Sequence, residues 1–177
     1  MNEQDIILRC QQGDAQGLAE LVLAHENSLF RFCFHLCGSA DAAEELFQDT
    51  WLKAIRNIGK YNSQGAFLGW LFTIAANLQR DKYRRNKRRR AFEQELQQFS
   101  SGAMEDRSRD SVQRILVHQA VDSMDTSLRI LVTLYYFEDR SVEYLAQLLG
   151  LPQGTVKTRL NRARKHLKKK LEVLLNE

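Results

Sequence analysis

Residues 141–165 read SVEYLAQLLGLPQGTVKTRLNRARK, and the fold is decided there. Val142, Leu145, Ala146 and Leu149 recur at i, i+3, i+4 and i+7, which gathers them into one buried helical stripe with Ser141 placed as the N-cap. Gly150 ends that helix, because the residue just past a helix end often takes a positive φ that only glycine adopts without steric cost. Ala146 is small enough to let a second helix cross closely. Pro152, the only proline of the chain, then sets φ near the start of a new helix and cannot extend the old one. In this second helix Val156, Leu160, Ala163 and Leu167 face inward, leaving Thr155, Lys157, Thr158, Asn161, Arg162 and Lys165 outward. Those outer side chains are donors and acceptors sized for a major groove, so the stretch is predicted to be a DNA-reading helix-turn-helix.

A chain of 177 residues with 44% hydrophobic composition can bury one or two small cores. Period-two alternation is nowhere sustained and long helical patterns dominate, so the expected class is all-α. No segment has the pattern of a secretory signal or approaches membrane-spanning length, which predicts a soluble, cytoplasmic protein without direct membrane insertion. The net charge of +4 understates how the bases are grouped. Arg80, Lys82, Arg84, Arg85, Lys87, Arg88, Arg89 and Arg90 form one block; Lys157, Arg159, Arg162, Arg164, Lys165, Lys168, Lys169 and Lys170 form another. One charge run is usually a solvated face, whereas two in separate helical units favour a polyanionic partner such as nucleic acid.

Cys33 and Cys37 stand four apart with His35 between them, an arrangement open to a zinc or thiol-switch reading. No CxxC or histidine pair completes a metal set, and free cysteine is more commonly a small buried hydrophobe, so no metal is expected. Nothing resembles a catalytic triad, a phosphate-binding glycine loop or a paired acid and base. No enzyme activity and no cofactor are expected.

The polar stretch QQFSSGAMEDRSRDS, residues 97–111, lacks apolar periodicity and reads as a flexible linker between two helical units that can move relative to each other, 1–96 and 112–177. In the first unit, helices are expected over residues 3–11, 14–24 and 27–37, then from Asp41 with Glu44 completing a capping box. Ala43, Leu46, Phe47, Thr50, Trp51, Ala54, Ile55 and Ile58 form the buried stripe of that fourth helix, opposite an acidic and partly apolar face of Glu45, Gln48, Asp49, Leu52 and Lys53. After the loop GKYNSQGA, a helix from Phe67 runs through Trp70, Leu71, Ile74, Ala75 and Leu78 into the first basic block. Asn77, Asp81, Arg84 and Arg88 share one of its faces. In the second unit, helices near 112–124 and 126–136 precede the helix-turn-helix.

Three stretches together resemble bacterial sigma factors of the extracytoplasmic-function (ECF) group, over nearly the whole chain. DAAEELFQDTWLKAIRNI is similar to region 2.2, FLGWLFTIAANLQRDKYRRNKRR to regions 2.3 and 2.4, and LPQGTVKTRLNRARKHL to the recognition helix of region 4. The resemblance implies that Glu45, Gln48 and Asp49, with Leu52 as apolar support, contact core RNA polymerase. It implies that Asn77, Asp81, Arg84 and Arg85 lie along the minus-10 element, continued by Arg88, with Tyr61 and Asn62 in a loop that captures a flipped-out base. It assigns Thr155, Lys157, Thr158, Asn161, Arg162 and Arg164 to the minus-35 element. An anti-sigma partner is implied too, and the chain has no room for a folded region 3.

Two rivals remain. A free-standing helix-turn-helix repressor or activator accounts for residues 141–165 but leaves the first basic block and its acidic neighbour helix unexplained. A sigma-like antagonist without DNA activity has no use for Asn161 and Arg162. The linker reading is checked by limited proteolysis: first cleavage within 97–111 is expected, giving fragments of about 95 and 65 residues, and first cleavage within 42–90 contradicts two units.

Overall fold

The computed structural model describes residues 2–62, 66–96, 116–117 and 119–175; the expected linker and most of the helix expected near 112–124 lie outside them. Seven α-helices are named here: α1 (Glu3–Gln11), α2 (Ala15–Cys37), α3 (Ala40–Asn57), α4 (Phe67–Leu96), α5 (Thr126–Val132), α6 (Val142–Leu149) and α7 (Gln153–Leu175). Residues 119–122 are helical as well, and there is no strand among the described residues. The all-α class stands.

Local chemistry explains most boundaries. Asn2 and Asp5 form a reciprocal capping box on α1, each side chain accepting from the other's end of the first turn. Asp14 caps α2 by accepting from the Gln16 N–H at 2.9 Å, and it also accepts from Arg9 Nε at 2.7 Å, which ties α1 to the start of α2. Gly38, at φ 75°, ends α2. The break expected between residues 24 and 27 is absent: α2 is one helix of 23 residues. Its buried positions Leu21, His25, Leu29, Phe32 and Leu36 keep strict helical spacing straight through residues 24–27. The His25 imidazole sits 2.9 Å from Glu3 Oε1 and packs its ring against Phe67, so a partner on α1 makes a polar residue tolerable inside. Burial holds the His25 pKa below its ordinary value, and Glu3 only partly offsets this.

Helix α3 starts one residue before the expected Asp41, with Ser39 as N-cap, and the capping box expected there does not form. Glu44 instead accepts from Gln48 Nε2 at 3.4 Å. Ala43, Leu46, Thr50, Trp51, Ala54 and Ile58 are buried as expected, Phe47 is partly so, and Ile55 is 40% exposed. Ile55 lies about 100° around the helix from Ala54, past the edge of the stripe. Against α2 and α3, α4 packs Phe67, Leu71, Phe72 and Ala75, with the Phe72 and Phe32 rings stacked at 4.2 Å.

In the helix-turn-helix, Ser141 accepts from the Tyr144 N–H at 3.1 Å, Gly150 takes φ 63°, and the Leu151 N–H donates to Ala146 O at 2.9 Å. Val156, Leu160 and Ala163 are buried along α7. Leu148 is also buried, while Val142 and Leu149 are only partly so. That shift has a tertiary cause, because α6 touches α4 as well as α7. The helix expected to end at Tyr136 changes character, α5 giving way to a π-helical turn over Thr133–Phe137.

One apolar cluster runs from Ile7 and Leu29 through Phe72 to Leu131, Leu145, Leu148 and Leu160, so it crosses between the two units. A smaller one joins Val121, Met124, Leu128, Val132 and Ala163. Between the clusters Arg129 is fully buried, donating to Val121 O at 3.2 Å, Met124 O at 3.3 Å, Asp122 O, and Ala76 O of α4 at 3.2 Å. Its guanidinium thereby satisfies carbonyls left open where the 119–122 helix ends. The Asp122 carboxylate lies 3.8 Å away.

Burial pushes the Asp122 pKa from 3.8 up to about 6, and the Arg129 charge only partly opposes this. A carboxyl whose folded pKa is raised binds its proton more tightly when folded, so its stabilising effect is complete below about pH 4 and is lost as pH rises through 6. Chemical denaturation of wild type and Asp122→Asn between pH 4 and 7 is expected to differ in slope, wild type losing roughly 2 to 3 kcal/mol relative to the variant. Parallel profiles overturn the assignment.

Candidate nucleic-acid interface

Three solvent-facing helix surfaces carry the residues singled out above. On α3, Glu45, Gln48 and Asp49 are exposed and Leu52 is 52% exposed, so these four do share an outer face. Ile55 extends it, and Phe30 of α2, exposed beside it, meets the Phe47 ring edge-on at 6.1 Å. Neither was expected. Ile55 had been counted as core, and Phe30 belongs to a helix whose pairing with α3 leaves no trace in local spacing.

The second surface lies along α4. Asp81, Arg84, Arg85 and Arg88 are exposed, whereas Asn77 is half-buried and its Oδ1 accepts from Thr126 Oγ1 at 2.7 Å. Between α3 and α4 runs an open groove of about 490 Å³ lined by Glu45, Leu46, Asp49, Leu78, Lys82, Arg85, Asn86 and Arg89. Lys82 Nζ reaches Glu45 Oε2 at 2.6 Å across it. The acidic face of α3 and the basic face of α4 therefore share one border, and Lys82, Asn86 and Arg89 belong to it. The spacing of Leu78, Lys82, Arg85 and Arg89 at i, i+4, i+7 and i+11 could have revealed this second face of α4.

The loop before α4 divides the two candidates for base capture. Tyr61 is only 9% exposed, its ring edge-on to Phe67 at 5.3 Å and tilted against Trp70 at 5.3 Å. Gln11 Nε2 donates to Tyr61 O at 3.1 Å and to Ile58 O at 3.0 Å, which pins that backbone. Tyr61 is thus core in this conformation rather than a stacking platform, because the aromatic start of α4 supplies it with partners. Asn62 is exposed, and residues 63–65 of the loop lie outside those described.

The third surface is α7, where Lys157, Thr158, Asn161, Arg162 and Arg164 are exposed and Thr155 is half-buried. Thr158 Oγ1 donates to Gly154 O at 2.9 Å, so toward a ligand its hydroxyl oxygen serves as an acceptor. Burial would raise the Asp125 pKa, but hydrogen bonds from Ser127 and the Leu128 N–H, together with the Arg162 charge, hold it below its ordinary value. Arg162 therefore has an acid within electrostatic reach while its side chain stays in solvent.

The cysteines do not converge on a metal. Cys33 is fully buried, and Cys37 donates to Ala42 O at 3.4 Å, while the His35 ring turns toward Phe137 at 5.5 Å. Burial raises the Cys33 thiol and pushes Cys37 up to about 12. Among the described residues, no group of three or more His, Cys, Asp or Glu is placed to hold a metal ion. No helix of the described residues is long and apolar enough to cross a membrane.

Comparison with known proteins matches the Sigma-70 region 2 family to residues 21–89 and the Sigma-70 region 4 family to residues 114–167. The chain belongs to the sigma-70 family, in its ECF group. Among its relatives, RNA polymerase sigma-H factor of Pseudomonas aeruginosa is 29% identical, the alignment covering 99% of this chain and 96% of that protein. The ECF RNA polymerase sigma factor SigW of Bacillus subtilis is 26% identical over 95% of this chain and 96% of that one. The solved structure of CnrH in complex with the cytosolic domain of CnrY shares the fold, with a TM-score of 0.57, 22% identity and 97% of each chain covered. The function is that of an alternative sigma factor directing promoter-specific transcription initiation, which sets aside the free-standing repressor or activator. All three surfaces fall inside the matched regions: those of α3 and α4 in region 2, that of α7 in region 4.

Proposed function

We propose a division of labour among the three helix surfaces of this sigma factor. The outer face of α3, with Glu45, Gln48, Asp49 and Leu52, docks on core RNA polymerase. Arg84, Arg85 and Arg88 on α4, with Asn77 and Asp81, hold the opened minus-10 strand, and Asn62 is the loop residue available to an extruded base. Thr155, Lys157, Thr158, Asn161, Arg162 and Arg164 on α7 read the minus-35 duplex. The units 1–96 and 112–177 act at separate promoter sites, with 97–111 spanning between them. The observation that carries this reading is that α7 leaves solvent-facing the polar residues sized for base edges while burying Val156, Leu160 and Ala163.

The chemistry is binding alone. Extruding a base costs a few kcal/mol of unstacking, and contacts to the opened strand offset that cost without nucleotide hydrolysis. The protein acts in the cytoplasm, where polymerase and promoter are found, without enzyme activity, and an anti-sigma partner holds it in reserve.

Two experiments test these roles. Glu45→Lys with Asp49→Lys leaves the buried stripe of α3 intact, so circular dichroism is expected to match wild type while binding to core polymerase is abolished; normal polymerase affinity sinks the α3 assignment. On α7, Arg162 reaches base edges whereas Lys168, six residues further on and exposed with Glu172 at 4.0 Å, meets only phosphate. With holoenzyme and a panel of minus-35 variants, Arg162→Ala is expected to cost about 1 to 3 kcal/mol and to relax preference at one or two positions. Lys168→Ala is expected to weaken every sequence alike and to lower the salt slope by about one. An unchanged preference profile for Arg162→Ala overturns base reading by this helix.

A further inference from the structure

The two basic blocks are not uniformly turned to solvent. Among the arginines whose side chains are described, Arg84, Arg85, Arg88 and Arg89 of α4 and Arg162 and Arg164 of α7 are exposed, whereas Arg80 and Arg159 are half-buried. These two, one from each unit, line a single open cleft of about 500 Å³ between α4, the start of α5 and the helix-turn-helix. Neither belongs to the three surfaces assigned above, so promoter reading leaves both without a task.

The cleft holds more positive charge than its own acids answer. Asp125 is the one acid on its lining among the described residues, and that carboxylate is already committed, accepting from Ser127 Oγ at 2.7 Å and from the Leu128 N–H at 3.1 Å. The Arg80 Nε–H is buried with no acceptor among the described residues; its ion-pair contact with Asp81 Oδ1, at 3.9 Å, is beyond hydrogen-bond reach. A buried donor without a partner costs free energy that an anion seated beside it recovers. The same charge weighs on Arg129: burial holds that guanidinium below its ordinary pKa and, although Asp122 opposes the shift, Arg80 adds to it. An anion between Arg80 and Arg159 relieves both.

The rest of the lining selects the kind of anion. Ile130, Leu149 and Leu151 supply an apolar wall, which a bare phosphate or a nucleic-acid backbone leaves uncovered and a planar base fills. Thr73 Oγ1 donates to Gly69 O at 2.9 Å and Ser127 Oγ donates to Asp125, so toward a ligand both hydroxyl oxygens serve as acceptors, as the hydroxyls of a sugar require. We propose that this cleft is a binding site for a nucleoside monophosphate or diphosphate, with the phosphate held between Arg80 and Arg159 and the base against Ile130, Leu149 and Leu151. The site is independent of the DNA assignments made above, since the two arginines that carry it take no part in them.

Isothermal titration of the full chain with the common ribonucleoside monophosphates and diphosphates tests the site, at about 150 mM salt so that loose charge attraction is screened. At least one nucleotide is expected to bind one-to-one with a Kd below about 1 mM. It is expected to bind at least about tenfold more tightly than ribose phosphate or inorganic phosphate, through the apolar wall. Arg80→Gln and Arg159→Gln are each expected to weaken it at least about tenfold. Without nucleotide, Arg80→Gln is expected to melt no lower than wild type, because it removes a charge that disfavours Arg129; with nucleotide added, the rise in Tm is expected to be larger for wild type than for either variant. Arg159→Gln, half-exposed on α7, carries the test if Arg80→Gln does not fold. Absence of saturable binding across the panel overturns the site, and equal affinity for nucleotide and inorganic phosphate overturns the role of the apolar wall. A lower Tm for nucleotide-free Arg80→Gln assigns that side chain to the fold rather than to a ligand. If instead a short DNA duplex, titrated into the free protein, loses about tenfold in affinity with both variants while nucleotide binding is unaffected, the two arginines belong to a nucleic-acid backbone and the proposal fails.

Discussion

Two helix backbones can meet only where no side chain stands between them, and in this protein that condition is met at Gly69. The Leu148 carbonyl at the end of α6 rests where any other residue of α4 would carry a Cβ. Beside that point of approach α5 also meets α4 directly, Thr126 donating to Asn77 and Arg129 to Ala76 O. The continuous apolar cluster is the result, and its extent explains how two units too small to bury large cores separately come to share one.

Elements whose structure is set by local chemistry were legible in the chain. Ser141, Gly150 and Pro152 punctuate the helix-turn-helix, each for a reason contained within two or three residues of itself. The failures share a different character. The break expected in α2 falls at His25, a polar residue to which Glu3 and Phe67 give a place inside. Burial of Leu148 and exposure of Ile55 both turn on which helix lies opposite, a fact that periodicity does not carry. Arg129 is the extreme case: a cation in the apolar run SLRILV looks solvent-bound, and the carbonyls that enclose it come from other segments.

The candidate surfaces divide in the same way. On α7 and on the outer side of α3, exposure follows from the helical period once the buried stripe is known, so those residues were readable in advance. Tyr61 was not, because its neighbours Phe67 and Trp70 were themselves assigned correctly to the core without any sign that the loop tyrosine joins them. Nor was the Glu45–Lys82 pair, which joins residues 37 positions apart. What local spacing cannot state is which two correctly predicted faces will border each other.

The burial of the thiols has a consequence for chemical reactivity. Oxidants and alkylating agents attack the thiolate, and with a pKa near 12 the Cys37 sulfur is ionised to only about one part in 10⁵ at pH 7. Cys33 is shielded further, without exposed surface, and its thiol is raised beyond that of Cys37. Peroxide meeting the folded protein therefore finds little thiolate at either sulfur, and damage at Cys33, which has no exposed surface, reports that the helices around it had already come apart.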